Sequence, residues 1–279
     1  MNEARRPFGI PTYTLKLIAV VSMFLDHFAV VFGEKLYPAL PFLNPGGTEL
    51  LRVAGRIAFP LFAFTLAIGA TYTKNVYKYM GRLLAFVAVS EIPFDLARTR
   101  AATLGEALRA WDHQNVFATL FLGLLCIFVY EKLRERKLEF LAFLLLLFAA
   151  FAAEEWIKCD YGAMGVMCIF LFYISYHAPN GLRQAGIVLT CAALCFILAF
   201  SPSAQPAVSL SGVKFHIFHM DVTARLNPSE LGAMLAAPLI LAYSGEQGSK
   251  KRRWFFYAFY PAHLLLLWLA LALVRAIAA

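Results

Sequence analysis

The chain has 279 residues, 61% of them hydrophobic and 15% charged, with a mean hydropathy of +0.68. Soluble domains are about 45–50% apolar, so this composition excludes an ordinary soluble protein and predicts an all-α, polytopic membrane protein with no separate soluble domain within residues 1–279. The net charge of +8 would suit nucleic acid in a soluble chain; here it reads as loop charge that sets topology, and no nucleic-acid partner is expected.

About nine spans are predicted in chain order. The first, 14–33, holds Asp26 and His27 in its far half. Its long apolar run and the lack of a small-residue exit set it apart from a cleaved signal peptide. The second, 50–73, carries Arg56 near its start, in GRIAFPLFAF. The third, 78–97, opens with Lys78 and Arg82 and ends in SEIPFDLA, where Pro93 separates Glu91 from Asp95 and is expected to kink the helix. Asn115 opens the fourth, 114–131, and a short fifth follows at 138–153. Asp160–Tyr161–Gly162 opens the sixth, 161–177. The remaining spans are 184–201, 228–244 and 254–275, the last with His263 about ten residues, hence about 15 Å, from its inner end.

Loop charge orients this map. With the N-terminus in the cytoplasm, the inner loops hold Arg5–Arg6, Lys74 and Lys78, KLRERK at 132–137, Arg183, and KKRR at 250–253, which ends in Arg253. Scattered arginines, Glu154–Glu155 and a longer stretch at 201–221 fall outside, while the two densest basic clusters share the inner side, as the positive-inside rule asks. The five cysteines include no C-x-x-C pair, and four lie in apolar runs; they read as small buried residues. HIFHMD at 216–221 spaces two histidines by three but lacks a third convincing ligand, so no metal is expected.

Charge inside a bilayer costs several kcal/mol, about 3 by the lower scales, so each such residue needs a partner or a task. On this map Asp26, His27, Arg56, Glu91, Asp95, Asn115, Asp160 and Tyr161 gather towards the outer face, and His263 approaches them from below. Asp26 and His27 lie about 100° apart around their helix, so each should meet a different neighbour. Glu91 and Asp95, four apart, share one face, and Arg56 is the nearest cation in depth. Arg56 paired with one of these carboxylates could serve helix packing alone. His27 is the group able to take and return a proton near neutral pH, which general base catalysis needs; His263 is a second candidate, or a core histidine donating to a carbonyl. Lys78 and Arg253 suit inner-face topology and anionic lipid. Arg82, one turn inside its span, could meet a phosphate with both arms of its guanidinium.

In order, LKLIAVVSMFLDH, GRIAFPLFAF, RLLAFVAVSEIPFD, NVFATLFLGLL, DYGAMGV and FYAFYPAHLLLL resemble the TraX family. Those are bacterial inner-membrane proteins associated with N-terminal acetylation of conjugative pilin, and the resemblance runs from about Leu15 to Leu267. It implies a multi-pass inner-membrane acetyltransferase that takes acetyl-CoA from the cytoplasm. It also implies that Asp26, His27, Arg56, Glu91, Asp95, Asn115, Asp160 and His263 are the family's polar positions. On that reading His27, Asp26 and His263 form the catalytic group, and Arg82, Lys78 and Arg253 are candidates for the CoA phosphates. Arg56, Glu91, Asp95, Asn115, Asp160 and Tyr161 bind the acceptor or shape its pocket. The acceptor is a pilin-like peptide amine or, alternatively, a hydroxyl on an envelope glycan or lipid. A proton-coupled solute transporter would also use intramembrane Asp, Glu and His, but the paired interrupted helices of repeat-built carriers are missing from the sequence. Residues 201–226 match no family motif.

Overall fold

The structure is a computed structural model describing residues 9–33, 36–37, 39–101, 103–109, 112–199, 213–217, 220–224, 227–248 and 253–278. Eleven helices occupy the described residues: α1 Thr12–Phe32, α2 Pro45–Gly55, α3 Ala58–Tyr72, α4 Val76–Thr99, α5 Leu104–Arg109, α6 Val116–Arg134, α7 Glu139–Glu155, α8 Gly162–His177, α9 Asn180–Ala199, α10 Ala236–Leu241 and α11 Arg253–Ala278. A 3₁₀ helix, Pro228–Leu235, leads into α10. The long apolar segments follow the helical stretches expected from sequence. Thr12–Phe32, Pro45–Tyr72, Val116–Arg134, Asn180–Ala199 and Trp254–Ile277 are long and apolar enough to cross a membrane. Gly162–His177 and Pro228–Leu241 are apolar but shorter.

Two features depart from an uninterrupted all-helical reading, a broken second span and a β-hairpin. The second span is two helices, α2 and α3, broken at Arg56–Ile57. Pro60 has no N–H for the Arg56 carbonyl, which removes the hydrogen bond that would carry the helix through that turn. Pro93, by contrast, is accommodated within α4, which runs on as one helix to Arg100 at φ 51°. Finally, Val213–Ile217 (β1) and Met220–Ala224 (β2) pair as an antiparallel hairpin within the stretch read as a loop.

α3 lies at the centre. Its residues from Ala58 to Ile68 are buried almost all round, with only Phe62 partly exposed, as expected for a helix apolar on every side. Phe64 meets Phe172 of α8 edge to face, with centroids 5.7 Å apart. This core continues through Leu15 and Ala19 of α1, Leu124 of α6, Leu194 of α9 and Leu264 of α11. Outward positions of α7 and α11 instead expose Phe140, Phe148, Leu266 and Leu273, the surface that hydrocarbon would cover. All five cysteines are free and buried.

Candidate active site

One cavity of about 350 Å³ is walled by α1, α3, α4, α6, α11 and the turn before α8. Tyr13, Lys16, Tyr72, Tyr79, Arg82 and Tyr257 line one end, and Asp26, His27, Asp160 and Tyr161 line the other. Tyr13 and His27 lie on the same helix, about 21 Å apart at 1.5 Å per residue. Between them the wall is apolar and aromatic, including Phe59, Phe62, Leu66 and Phe117.

His27 faces this space from α1 and turns its ring against α11. Its Nδ1 lies 2.7 Å from Nε2 of His263, and the two rings stack at 4.9 Å and 28°. His263 is only 2% exposed. Its Nδ1 lies 2.8 Å from the Phe259 carbonyl oxygen one turn back, and the Phe259 ring stacks on it at 4.9 Å.

Asp26, one residue before His27, points to a different neighbour, as helix geometry demands. Its Oδ2 is 3.8 Å from Nη1 of Arg56, and its Oδ1 is buried without a hydrogen bond. The approach depends on Gly55, because a Cβ there would run into the Asp26 side chain. Arg56 also places Nε 3.1 Å from Oε1 of Glu230 in the 3₁₀ helix, and its Nη1 donates to the Tyr161 hydroxyl at 3.5 Å. Tyr161 is fixed in turn by stacking on Phe59, with centroids 3.8 Å apart. The turn that carries Asp160 and Tyr161 is tied to the start of α6. The Asp160 N–H donates to the Gln114 carbonyl at 2.8 Å, and the Thr119 hydroxyl donates to the Asp160 carbonyl.

Glu91 and Asp95 stand elsewhere. The expected pairing of Arg56 with either of them is corrected here: Arg56 takes Asp26 and Glu230 instead. Glu91 Oε2 accepts from the backbone N–H and the side-chain amide of Asn115, whose Oδ1 caps α6 by accepting the Phe117 N–H at 3.0 Å. The same amide donates to the Val87 carbonyl at 2.9 Å, so Asn115 clasps α4 to α6. Asp95 lies 3.6 Å from Arg98 one turn on, and Arg98 reaches Asp112 at 2.6 Å. In the loop, the hydrogen bond and charge of Arg98 hold the Asp112 carboxyl below its ordinary range. None of Glu91, Asp95 and Asn115 lines the cavity, so these groups brace the wall that α4 and α6 form.

At the opposite end Arg82 lines the cavity, its guanidinium 5.3 Å from the Tyr79 ring centre and its Nε buried without a hydrogen bond. Lys78 is exposed and does not line the space. The Arg253 side chain and Lys250, Lys251 and Arg252 lie outside the described residues, as does His219 of HIFHMD. In the hairpin His216 stands opposite Asp221 in backbone register.

Two residues absent from the sequence reading enter the site. Lys16 lines the Arg82 end, its Nζ 6.0 Å from the Phe256 ring centre. Glu230 is the second carboxylate on Arg56. A lone charge in an apolar segment marked both in the sequence.

The chain matches the family model described as TraX protein over residues 12–271. It is 30% identical over 273 residues to "Probable fimbrial assembly protein FimC, serogroup H1" of Dichelobacter nodosus, covering 94% of this chain and 96% of that protein. No solved structure matches the chain.

Proposed function

The chain belongs to the TraX family, and on that premise we propose that it is an acetyl-CoA-dependent acetyltransferase of the bacterial inner membrane. It moves the acetyl group to an acceptor amine at the outer face, the N-terminus of a pilin-like protein. The observation that carries this reading is one continuous cavity with chemically opposite ends. One end offers Lys16 and Arg82 among aromatic rings, suited to the phosphates and adenine of CoA. The other offers a histidine beside a carboxylate-rich cluster. An acyl donor held at the first end and an acceptor at the second would meet without either crossing the bilayer.

Around Arg56 stand the carboxylates of Asp26 and Glu230, with Asp160 also at that end of the cavity. Three acidic groups against Arg56 and the neighbouring Arg52 leave an excess of negative charge, which favours a cationic acceptor, so an amine suits the site better than a glycan hydroxyl. The acceptor binds as its ammonium and gives one proton to solvent; its neutral nitrogen then forms the C–N bond to the acetyl carbon, and the C–S bond breaks. His27 takes the proton that the nitrogen loses and returns it to the departing CoA sulfur. The products are the N-acetylated acceptor and free CoA. The name of the fimbrial relative supports a pilus-related acceptor.

The direct test is purified protein in nanodiscs with acetyl-radiolabelled acetyl-CoA and a synthetic peptide carrying a free α-amine. Label should move to that peptide and not to the same peptide blocked at its N-terminus. Label confined to acetyl-CoA, or transferred to an envelope glycan instead, contradicts the acceptor assigned here.

The orientation that this function requires has nine spans and a cytoplasmic N-terminus, which puts Lys16 and Arg82 on the inside. Reporter fusions after Arg136 and after Lys158 should report opposite sides of the membrane. The same side for both would invert or collapse the arrangement.

Loss of the inner cations should act on donor binding. Arg82→Ala, and separately Lys16→Met, is expected to raise KM for acetyl-CoA about tenfold or more with kcat little changed, because the phosphates are remote from the reacting carbonyl. Arg82→Lys should restore part of the loss, since a point charge replaces a two-pronged donor. Unchanged acetyl-CoA dependence in Arg82→Ala would remove it from the donor site.

A further inference from the structure

The hydrogen bonds along the two histidines fix where the protons sit. A carbonyl oxygen can only accept, so the His263 nitrogen facing Phe259, Nδ1, carries a hydrogen. Neutral His263 then has a bare lone pair on Nε2, and that atom faces His27 Nδ1 at 2.7 Å. At this distance one of the two nitrogens must donate, and His263 Nε2 has nothing to give. We infer that His263 is a positioning residue: it accepts the His27 Nδ1–H, locks His27 in one tautomer, and so leaves the Nε2 lone pair of His27 as the basic atom at the cavity.

The chain Phe259 C=O···H–Nδ1 His263 Nε2···H–Nδ1 His27 is rigid. It is anchored on helical backbone, and His263 is almost fully buried between the Phe259 ring and α1. Asp26 does not do this task, because its carboxylate turns to Arg56. The relay therefore orients its base with a second imidazole where a carboxylate is the commoner partner. A neutral partner holds the tautomer without adding negative charge behind the base. When His27 takes a proton at Nε2, its Nδ1–H still points at the His263 lone pair, so the hydrogen bond survives the reaction step.

The tautomer stands independently of any activity, and the kinetic arm of its test rests on the acetyltransferase reading. Protein labelled with ¹⁵N-histidine in detergent micelles separates protonated from bare ring nitrogens by NMR, and His27 is assigned as the signal lost in His27→Gln. Wild type should show His27 with Nδ1 protonated and Nε2 bare. In His263→Leu the acceptor is gone, and the His27 signals should shift to a mixture of tautomers or to Nε2–H. His263→Gln restores an oxygen acceptor and should return the Nδ1–H form. In the acetyl-transfer assay His263→Leu should lower kcat about 10- to 100-fold, by analogy with outer groups that orient metal-bound histidines, with KM for acetyl-CoA little changed. His263→Gln should recover part of that loss. A wild-type spectrum with His27 protonated on Nε2 overturns the assignment even if neither variant folds, as does a His263→Leu spectrum identical to wild type. Wild-type protein that transfers no acetyl group would count against the function proposed above and would leave the spectrum to decide the tautomer.

Discussion

Replacing His27 with alanine is expected to lower kcat/KM for acetyl transfer at least about 10²-fold, the low end for a lost acid–base group. Acetyl-CoA binding should survive nearly intact, because the cations proposed for its phosphates line the other end of the cavity, Lys16 eleven residues or about 16 Å back along α1 from His27. The wild-type enzyme should show kcat/KM rising with pH. The neutral imidazole is the form that accepts a proton, so activity is present above the His27 pKa and is lost as pH falls through it. Burial, then Asp26 on α1, Arg56 just after α2 and Arg52 within it set this value, and His263 of α11 is in hydrogen-bond contact with the ring. Asp26→Asn removes an anion beside the base and should move the profile without abolishing activity, unless Asp26 also holds the acceptor ammonium, in which case KM for the acceptor rises too. A His27→Ala protein that folds, binds acetyl-CoA and transfers acetyl at the wild-type rate would end the base assignment.

The second large effect is on stability. Arg56 sits between Asp26 and Glu230, whose side chains are 13% and 7% exposed, and its own is 17% exposed. Arg56→Ala leaves the buried Glu230 and the largely buried Asp26 without this cation and should destabilise the protein by about 3–5 kcal/mol, the range for breaking a buried pair from one side. The penalty comes from the unpaired charge, so the double variant Arg56→Ala/Glu230→Gln should be more stable than Arg56→Ala alone. Thermal unfolding in detergent compares the three proteins. An Arg56→Ala protein melting like wild type would mean that the cluster contributes little to the fold.

Much of this arrangement could be read from the chain, and the reasons for the misses are physical. Helical segments were legible because apolar runs of bilayer length have one dominant solution, and the separate directions of Asp26 and His27 follow from the 100° step of a helix. The partners of Arg56 were not legible. Depth along the membrane made Glu91 and Asp95 plausible, but depth ignores azimuth, and α4 turns those carboxylates to Asn115 and Arg98. Pro60 lies within GRIAFPLFAF, yet its effect on the Arg56 carbonyl emerges only once the helix is counted back four residues. Lys16 and Glu230 each stand out as one charge in an apolar run, but only the fold puts Lys16 in the cavity with Arg82 and Glu230 against Arg56. His263 was placed near the site by depth; the bond to His27 that gives it a role depends on how α11 packs on α1.

The central claim is transfer across the membrane, and sidedness tests it most directly. Proteoliposomes would be prepared with an amine-terminated acceptor peptide trapped inside and radiolabelled acetyl-CoA, which does not cross the bilayer, added outside. For molecules oriented with the cytoplasmic face outward, label should accumulate on the trapped peptide, and His27→Ala should abolish it. Label appearing only on peptide supplied on the same side as acetyl-CoA, with the trapped peptide unlabelled, would contradict the account.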